Sequence, residues 1–169
     1  MEYLTKEEII SLNKIAVSET GESYALRDEG LLESAIGRPI NHCKYENCDN
    51  VLKLGAILAE AILQNHVFEQ GNKRTALAAL KMFIERNGWE LYCPDNDAWQ
   101  GELMLKLTTH EIDADGLCEQ ISFCAIPYGS EEEPAAFEPF VAVPFEAEPL
   151  VAEPLDLEKF KPMKFDPFK

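Results

Sequence analysis

The chain has 169 residues, 46% of them hydrophobic and 27% charged, with a formal net charge of −16; this is the composition of a globular protein long enough to bury one core. Such an excess of acid excludes non-specific nucleic-acid binding, which needs cations against phosphates, and leaves basic protein partners open. No run of about 18 apolar residues occurs, so no membrane partner is expected, and the opening MEYLTKEEII lacks the basic-then-apolar order of a signal peptide, so a cytoplasmic location is expected.

The first predicted element begins at a T-x-x-E capping box, Thr5 and Glu8. Behind it, Ile9, Ile10, Leu12, Ile15, Ala16 and Val17 form an apolar helical face. LRDEGLLESAIGRP, residues 26–39, reads as a turn at Arg27–Gly30 and then a short helix ended by Gly37 and Pro39. Residues 38–50 are polar and irregular, as in a loop or short hairpin. Asp49 or Asn50 caps the next helix, whose apolar Val51, Leu54, Ile57, Leu58, Ala61 and Ile62 are interleaved with small Gly55, Ala56 and Ala59. That helix is apolar over most of its circumference and belongs at the centre. A further helix runs from near Asn72 to Asn87-Gly88, a natural C-cap, and buries Ala76, Leu77, Leu80, Phe83 and Ile84. Weaker helices are expected over 95–107 and 111–122.

Within the last of these, EIDADGLCEQIS resembles a calcium loop at Asp113, Asp115 and Gly116. Glu111 holds the first ligand position and Ser122 stands where a bidentate glutamate is required, so Asp113 or Asp115 is read as a helix cap instead. The five cysteines form no C-x-x-C pair and read as reduced thiols. His42, Cys43 and Cys48 in HCKYENC lack a fourth zinc ligand at a familiar spacing and read as chance. No stretch alternates with period two, so the expected fold class is all-α.

Composition changes near residue 125. Residues 126–169 hold four Lys+Arg against ten Asp+Glu and eight of the ten prolines, with prolines at 134, 139, 144, 149 and 154. Proline at every fifth residue blocks both helices and sheet ladders. The division expected is a helical domain over 1–125 and a disordered, acidic, Pro/Phe-rich low-complexity tail over 126–169. The tail reads as a solubilising extension. The alternative is that it docks on the domain or recruits a partner, with Glu131–Glu133 approaching Lys73 and Arg74.

The chemistry concentrates in HVFEQGNKRT, residues 66–75. The pattern places it in a loop between two buried helices, running into the N-terminus of the second. There the first amides lack internal partners and the helix dipole is positive. Gly71 allows a tight turn and close approach to a ligand. Asn72 can cap the helix or donate from its side chain, and Lys73 and Arg74 add two charges, which together make a phosphate cradle. An imidazole titrates at about pH 6.5 and can accept a proton in the cell, so His66 suits a general base for a hydroxyl attacking the bound phosphate. The bland alternative is a capping or core histidine beside two solvated cations. Cations at a positive helix end are electrostatically misplaced, which favours the functional reading. The loop is not a P-loop, since G-x-x-x-x-G-K-[ST] is absent.

These residues resemble the Fic/Doc superfamily, in particular its death-on-curing (Doc) branch. The Fic loop reads H-x-F-x-[DE]-G-N-G-R, and Doc-like members have Lys for the last Gly, followed by Arg-Thr. HVFEQGNKRTALAALKMFIERNG follows the Doc pattern at His66, Phe68, Gly71, Asn72, Lys73, Arg74 and Thr75, and LRDEGLLESAIGRP is similar to the N-terminal part of Doc-like proteins. The resemblance covers roughly residues 1–122. It implies a small helical bundle and transfer of phosphate from ATP or another nucleoside triphosphate to a protein hydroxyl, with elongation factor Tu as the target of Doc toxins and a small antitoxin as partner. Fic enzymes mostly transfer AMP. By the resemblance, His66 is the general base, Lys73 and Arg74 assist catalysis, Gly71, Asn72, Lys73 and Arg74 hold the phosphates, and residues 38–50 match the flap that aligns the target. The family has Asp or Glu where this chain has Gln70, at the position that orients Mg2+. A neutral amide there leaves a catalytically weak or inactive binding module as the alternative. Ser18–Glu22, SETGE, is similar to the inhibitory motif of some Fic proteins, but Ser23 follows where Gly or Asn is usual, and it is read as coincidence.

Overall fold

The computed structural model describes residues 1–92 and 97–130. In chain order these form helices α1 (Lys6–Ser18), α2 (Glu29–Tyr45), α3 (Val51–Gln64) and α4 (Asn72–Arg86), strand β1 (Trp89–Leu91), helices α5 (Asp97–Thr108) and α6 (Ala114–Ser122), and strand β2 (Ala125–Pro127). The all-α reading holds for the core; the two short strands form one antiparallel ladder, with Trp89 opposite Pro127 and Leu91 opposite Ala125. The pairing therefore continues past residue 125. The expected disorder of the tail concerns residues 131–169, which lie outside the described residues.

The most apolar segment becomes the central helix. Asn50 caps α3 by accepting from the Lys53 amide at 3.1 Å, and ten of its residues are buried, Gly55, Ala56 and Ala59 among them. α3 packs against α2, α4, α5 and α6. The small residues let α4 come close: a Cβ on Gly55 would lie 3.0 Å from Leu80 Cδ1. α1 begins at the capping box, with both the Thr5 and Glu8 bonds formed. Glu8 also pairs with Arg86 at the far end of α4, and Arg86 and Thr5 hold its carboxyl down at about 2. The α4 C-cap is Asn87, followed by Gly88 at φ 83°. Asp113 caps α6 by accepting from the Gly116 amide, and Lys53 of α3 pairs with Asp115.

Two expectations fail in α2. The turn at Arg27–Gly30 is instead a helix start, with Asp28 as N-cap accepting from the Gly30 and Leu31 amides. The helix does not end at Gly37 and Pro39 but passes through buried Pro39 to Tyr45, so most of 38–50 is helix, not loop. Proline removes one backbone bond. The helix is held on both sides of it by tertiary and local contacts: Arg38 bonds Gln64 at 3.1 Å and approaches Glu60 on α3, Ala35 is buried, and His42 Nδ1 meets Glu46 Oε2 at 2.9 Å.

The cysteines divide. Cys43, Cys48 and Cys118 are free, as expected, but Cys124 is disulfide-bonded to a partner outside the described residues. The Tyr92 amide donates to the Cys124 carbonyl at 2.7 Å. No group of three metal-ligating side chains occurs among the described residues.

Candidate functional site

α3 ends at Asn65, and the chain reverses through His66, a non-glycine residue at φ 46° whose amide donates to Leu63 O at 3.1 Å. Val67 and Phe68 follow, both fully buried, and anchor the loop in the core. The segment before α2 lies antiparallel along this anchor. Leu26 faces Phe68 in a bridge, the Arg27 amide donates to Val67 O, and the Glu69 amide donates to Ala25 O, each at 3.0 Å. Tyr24 packs its ring against Phe68 at 6.2 Å. The segment flanking the loop is thus 24–28, and the expectation of a flap loop over 38–50 is corrected: residues 38–45 form the second half of α2 and Asn50 caps α3.

Gly71, at φ 75°, is the N-cap of α4, and no side chain caps the helix. Its first amides are left for a ligand. Asn72 does not cap and does not point its amide outward. Its Oδ1 accepts from the Phe68 amide at 2.9 Å and its Nδ2 donates to Phe68 O at 2.6 Å, so the side chain braces the loop internally. Among the expected phosphate-holding residues, Asn72 therefore offers its backbone amide, not its side chain.

The two cations differ. Lys73 is exposed and makes no ion pair or hydrogen bond among the described residues. Arg74 reaches back to the end of α1 and the loop after it, donating to Ala16 O, to Thr20 Oγ1 at 2.7 Å and to Glu22, with which it forms an ion pair. Thr20 and Arg74 together hold the Glu22 carboxyl below the usual carboxylate range. Glu22 is a residue that the sequence reading left without a role; the S-x-x-x-E spacing of SETGE was its only signal.

His66, Gln70, Gly71, Asn72, Lys73 and Arg74 line one cavity of about 410 Å³ together with Glu22, Leu63, Glu69 and Thr108. All the expected site residues are thus brought together. The exposed His66 imidazole makes no hydrogen bond among the described residues. A smaller cavity of about 150 Å³ shares Leu63, His66 and Thr108 and adds Gln64 and His110. Of the acidic lining, Glu22 faces Arg74, and Glu69 pairs with Arg27 at 3.1 Å. Gln70 is exposed and brings no charge.

The Fic/DOC family model matches residues 3–84, from the start of α1 to the buried end of α4. A protein kinase doc from Escherichia phage P1 is 32% identical over 92 residues, covering 54% of this chain and 73% of that protein. A toxin Doc from Mycolicibacterium smegmatis (strain ATCC 700084 / mc(2)155) is 33% identical over 125 residues, 72% of this chain and 92% of that protein.

The chain belongs to the Fic/Doc family.

Its relatives place it on the death-on-curing side of that family, as the Lys73-Arg74-Thr75 sequence implied. Beneath the loop lie two fully buried polar residues, Asn13, which the sequence reading missed, and Thr75, which the Doc pattern included without a role. A signal existed for the first: Asn13 interrupts the stripe of Ile9, Ala16 and Val17 that α1 buries, and a polar residue on a buried stripe requires a buried partner.

Proposed function

We propose that this Fic/Doc chain is a Doc-like toxin of a toxin–antitoxin system, a transferase that moves the terminal phosphate of ATP or another nucleoside triphosphate to a hydroxyl of a protein target of the translation-factor class, such as elongation factor Tu. The observation that carries this is the pairing of a base, His66, with a cation, Lys73, both without a side-chain partner among the described residues, in one cavity at the start of α4. The printed name of the phage relative, a protein kinase, supports the reaction type, and that of the mycobacterial relative, a toxin, supports the biological role and a small antitoxin partner.

The steps follow from the chain's own groups. The amides opening α4 and the Lys73 ammonium take the phosphates. Arg74 joins them by exchanging Glu22 for a phosphate oxygen. His66 removes the proton of the target hydroxyl as its oxygen bonds to the terminal phosphorus. The bond from that phosphorus to the bridging oxygen breaks, and the nucleoside diphosphate leaves with its new charge facing Lys73 and Arg74.

Magnesium fits this donor set poorly. The ion requires carboxylate or phosphate oxygens, whereas Gln70 is neutral and both lining carboxylates, Glu22 and Glu69, face arginines. No step is assigned to it, and charge balance falls to Lys73 and Arg74.

A second reading is favoured by the same observation: with Gln70 neutral and Arg74 engaged, the chain is a nucleotide-binding module with weak or no turnover. Purified protein incubated with a cell extract and ATP labelled at the γ or the α position separates the possibilities. Transfer predicts γ label on one or few proteins and none with His66→Ala. Label only from α-labelled ATP identifies AMP transfer. No label from either, with transfer gained in Gln70→Asp, identifies the binding module.

A further inference from the structure

Among the residues that α1 turns toward the core, Asn13 is polar and fully buried. Its Nδ2 donates to the Gln70 carbonyl at 2.9 Å and to Thr75 Oγ1 at 3.0 Å. The Thr75 hydroxyl donates in turn to the Gly71 carbonyl at 3.0 Å, and the Thr75 amide to the same oxygen at 2.9 Å. One side chain thus grips two consecutive carbonyls of the cradle, the first directly and the second through Thr75. The backbone between them is Gly71 in the left-handed region, and α1 forms its floor: a Cβ there would lie 2.9 Å from Val17 Cγ1 and 3.1 Å from Asn13 Nδ2.

The amide is costly as packing. Its Oδ1 is buried without a hydrogen-bond partner among the described residues, and an orphaned buried acceptor destabilises a fold where an apolar group of similar shape would not. The two bonds donated by Nδ2 offset that cost, so burial alone does not decide for or against asparagine here. What the residue supplies is orientation. With the Gln70 and Gly71 carbonyls drawn down toward α1 and Thr75, the amides that follow face away from them, toward the cavity.

We propose that Asn13 is a positioning residue of the phosphate site: it fixes the Gln70–Gly71 turn so that the first amides of α4 present a preorganised anion cradle. The inference rests on reading this loop as a phosphate site. Asn13 touches no substrate and acts through the backbone of residues 70–72.

The test uses Asn13→Leu, which matches the shape and removes both donor and orphaned acceptor, and Asn13→Asp, which keeps the shape but loses the donor. Three quantities are measured on the full chain: thermal midpoint, ATP affinity by calorimetry, and amide exchange at Gly71, Asn72 and Thr75 without nucleotide. Asn13→Leu takes the donor from the Gln70 carbonyl and is expected to lower the thermal midpoint modestly, to weaken ATP per folded molecule by at least about tenfold and to speed exchange at the three amides by at least about tenfold, as loss of a buried hydrogen bond predicts. Asn13→Asp is expected to show the same two losses even where Asn13→Leu does not fold. The inference is overturned if both variants that fold keep wild-type exchange at these amides, or if affinity per folded molecule is unchanged while the midpoint falls. If the wild type binds no ATP, the phosphate reading fails, and the exchange measurement still decides whether Asn13 holds the turn.

Discussion

Arg74 has two competing sets of partners, and which set holds it decides whether the cradle carries one cation or two. In the structure it is held by Ala16 O, Thr20 and Glu22. A phosphate must displace Glu22, whose carboxyl stays ionised below the usual range because Thr20 and Arg74 favour the charged form. The sign follows from that depressed pKa: the pair contributes above the ordinary carboxylate range and is lost only as pH falls through and below it. Under the proposed function, Glu22 therefore competes with the nucleotide for Arg74 near neutral pH. Glu22→Gln is expected to tighten ATP binding about two- to fivefold, the modest size proper to a solvent-exposed ion pair. Calorimetry at neutral pH checks it; weaker binding in Glu22→Gln would show that Glu22 assists the nucleotide instead.

At the scale of elements, α2 is where local and tertiary preferences disagree. Pro39 lies inside the helix and is buried. An interior proline costs about 3 kcal/mol, whereas trimming its ring to alanine forfeits burial of about two methylenes, roughly 1.6 kcal/mol. Pro39→Ala is therefore expected to stabilise the fold by about 1 kcal/mol. Urea or thermal unfolding measures it, and a lower midpoint would mean that the ring packs better than its bulk suggests. The same conflict shows why α2 was the least legible helix. The pattern in α3 and α4 is dense enough that propensity, caps and periodicity agree, so the cap at Asp49 or Asn50, the apolar positions from Val51 to Ile62 and the Asn87-Gly88 stop could be read directly, and the structure selects Asn50 as the cap. In α2 the breakers Gly37 and Pro39 are local signals, while Arg38 reaching Gln64 and Glu60 is a contact between residues over twenty positions apart. No local reading contains it. The flap assignment failed for the same reason: the pairing of Leu26 with Phe68 joins segments that periodicity cannot connect. The residues of the proposed cradle were legible as a group because they are contiguous in sequence, but the residues that touch them from outside, Asn13 and Glu22, come from α1 and the loop after it.

For the molecule as a whole, the contrast is between a chain of net charge −16 and the phosphate site proposed at the start of α4. That acidity repels a polyphosphate at long range, so binding must come from short-range donors: the amides that open α4, Lys73 and, once released, Arg74. Magnesium on the nucleotide would remove negative charge that these donors need, and Gln70 offers the ion no compensating carboxylate. The most direct measurement is the ATP dissociation constant of the wild type and of Lys73→Ala, each in excess Mg2+ and in a chelator. The account predicts that the wild type binds at least as tightly in chelator as in Mg2+ and that Lys73→Ala weakens binding in both by about tenfold, the loss of one charge-assisted contact. Binding seen only with Mg2+, or unchanged by Lys73→Ala, would contradict it.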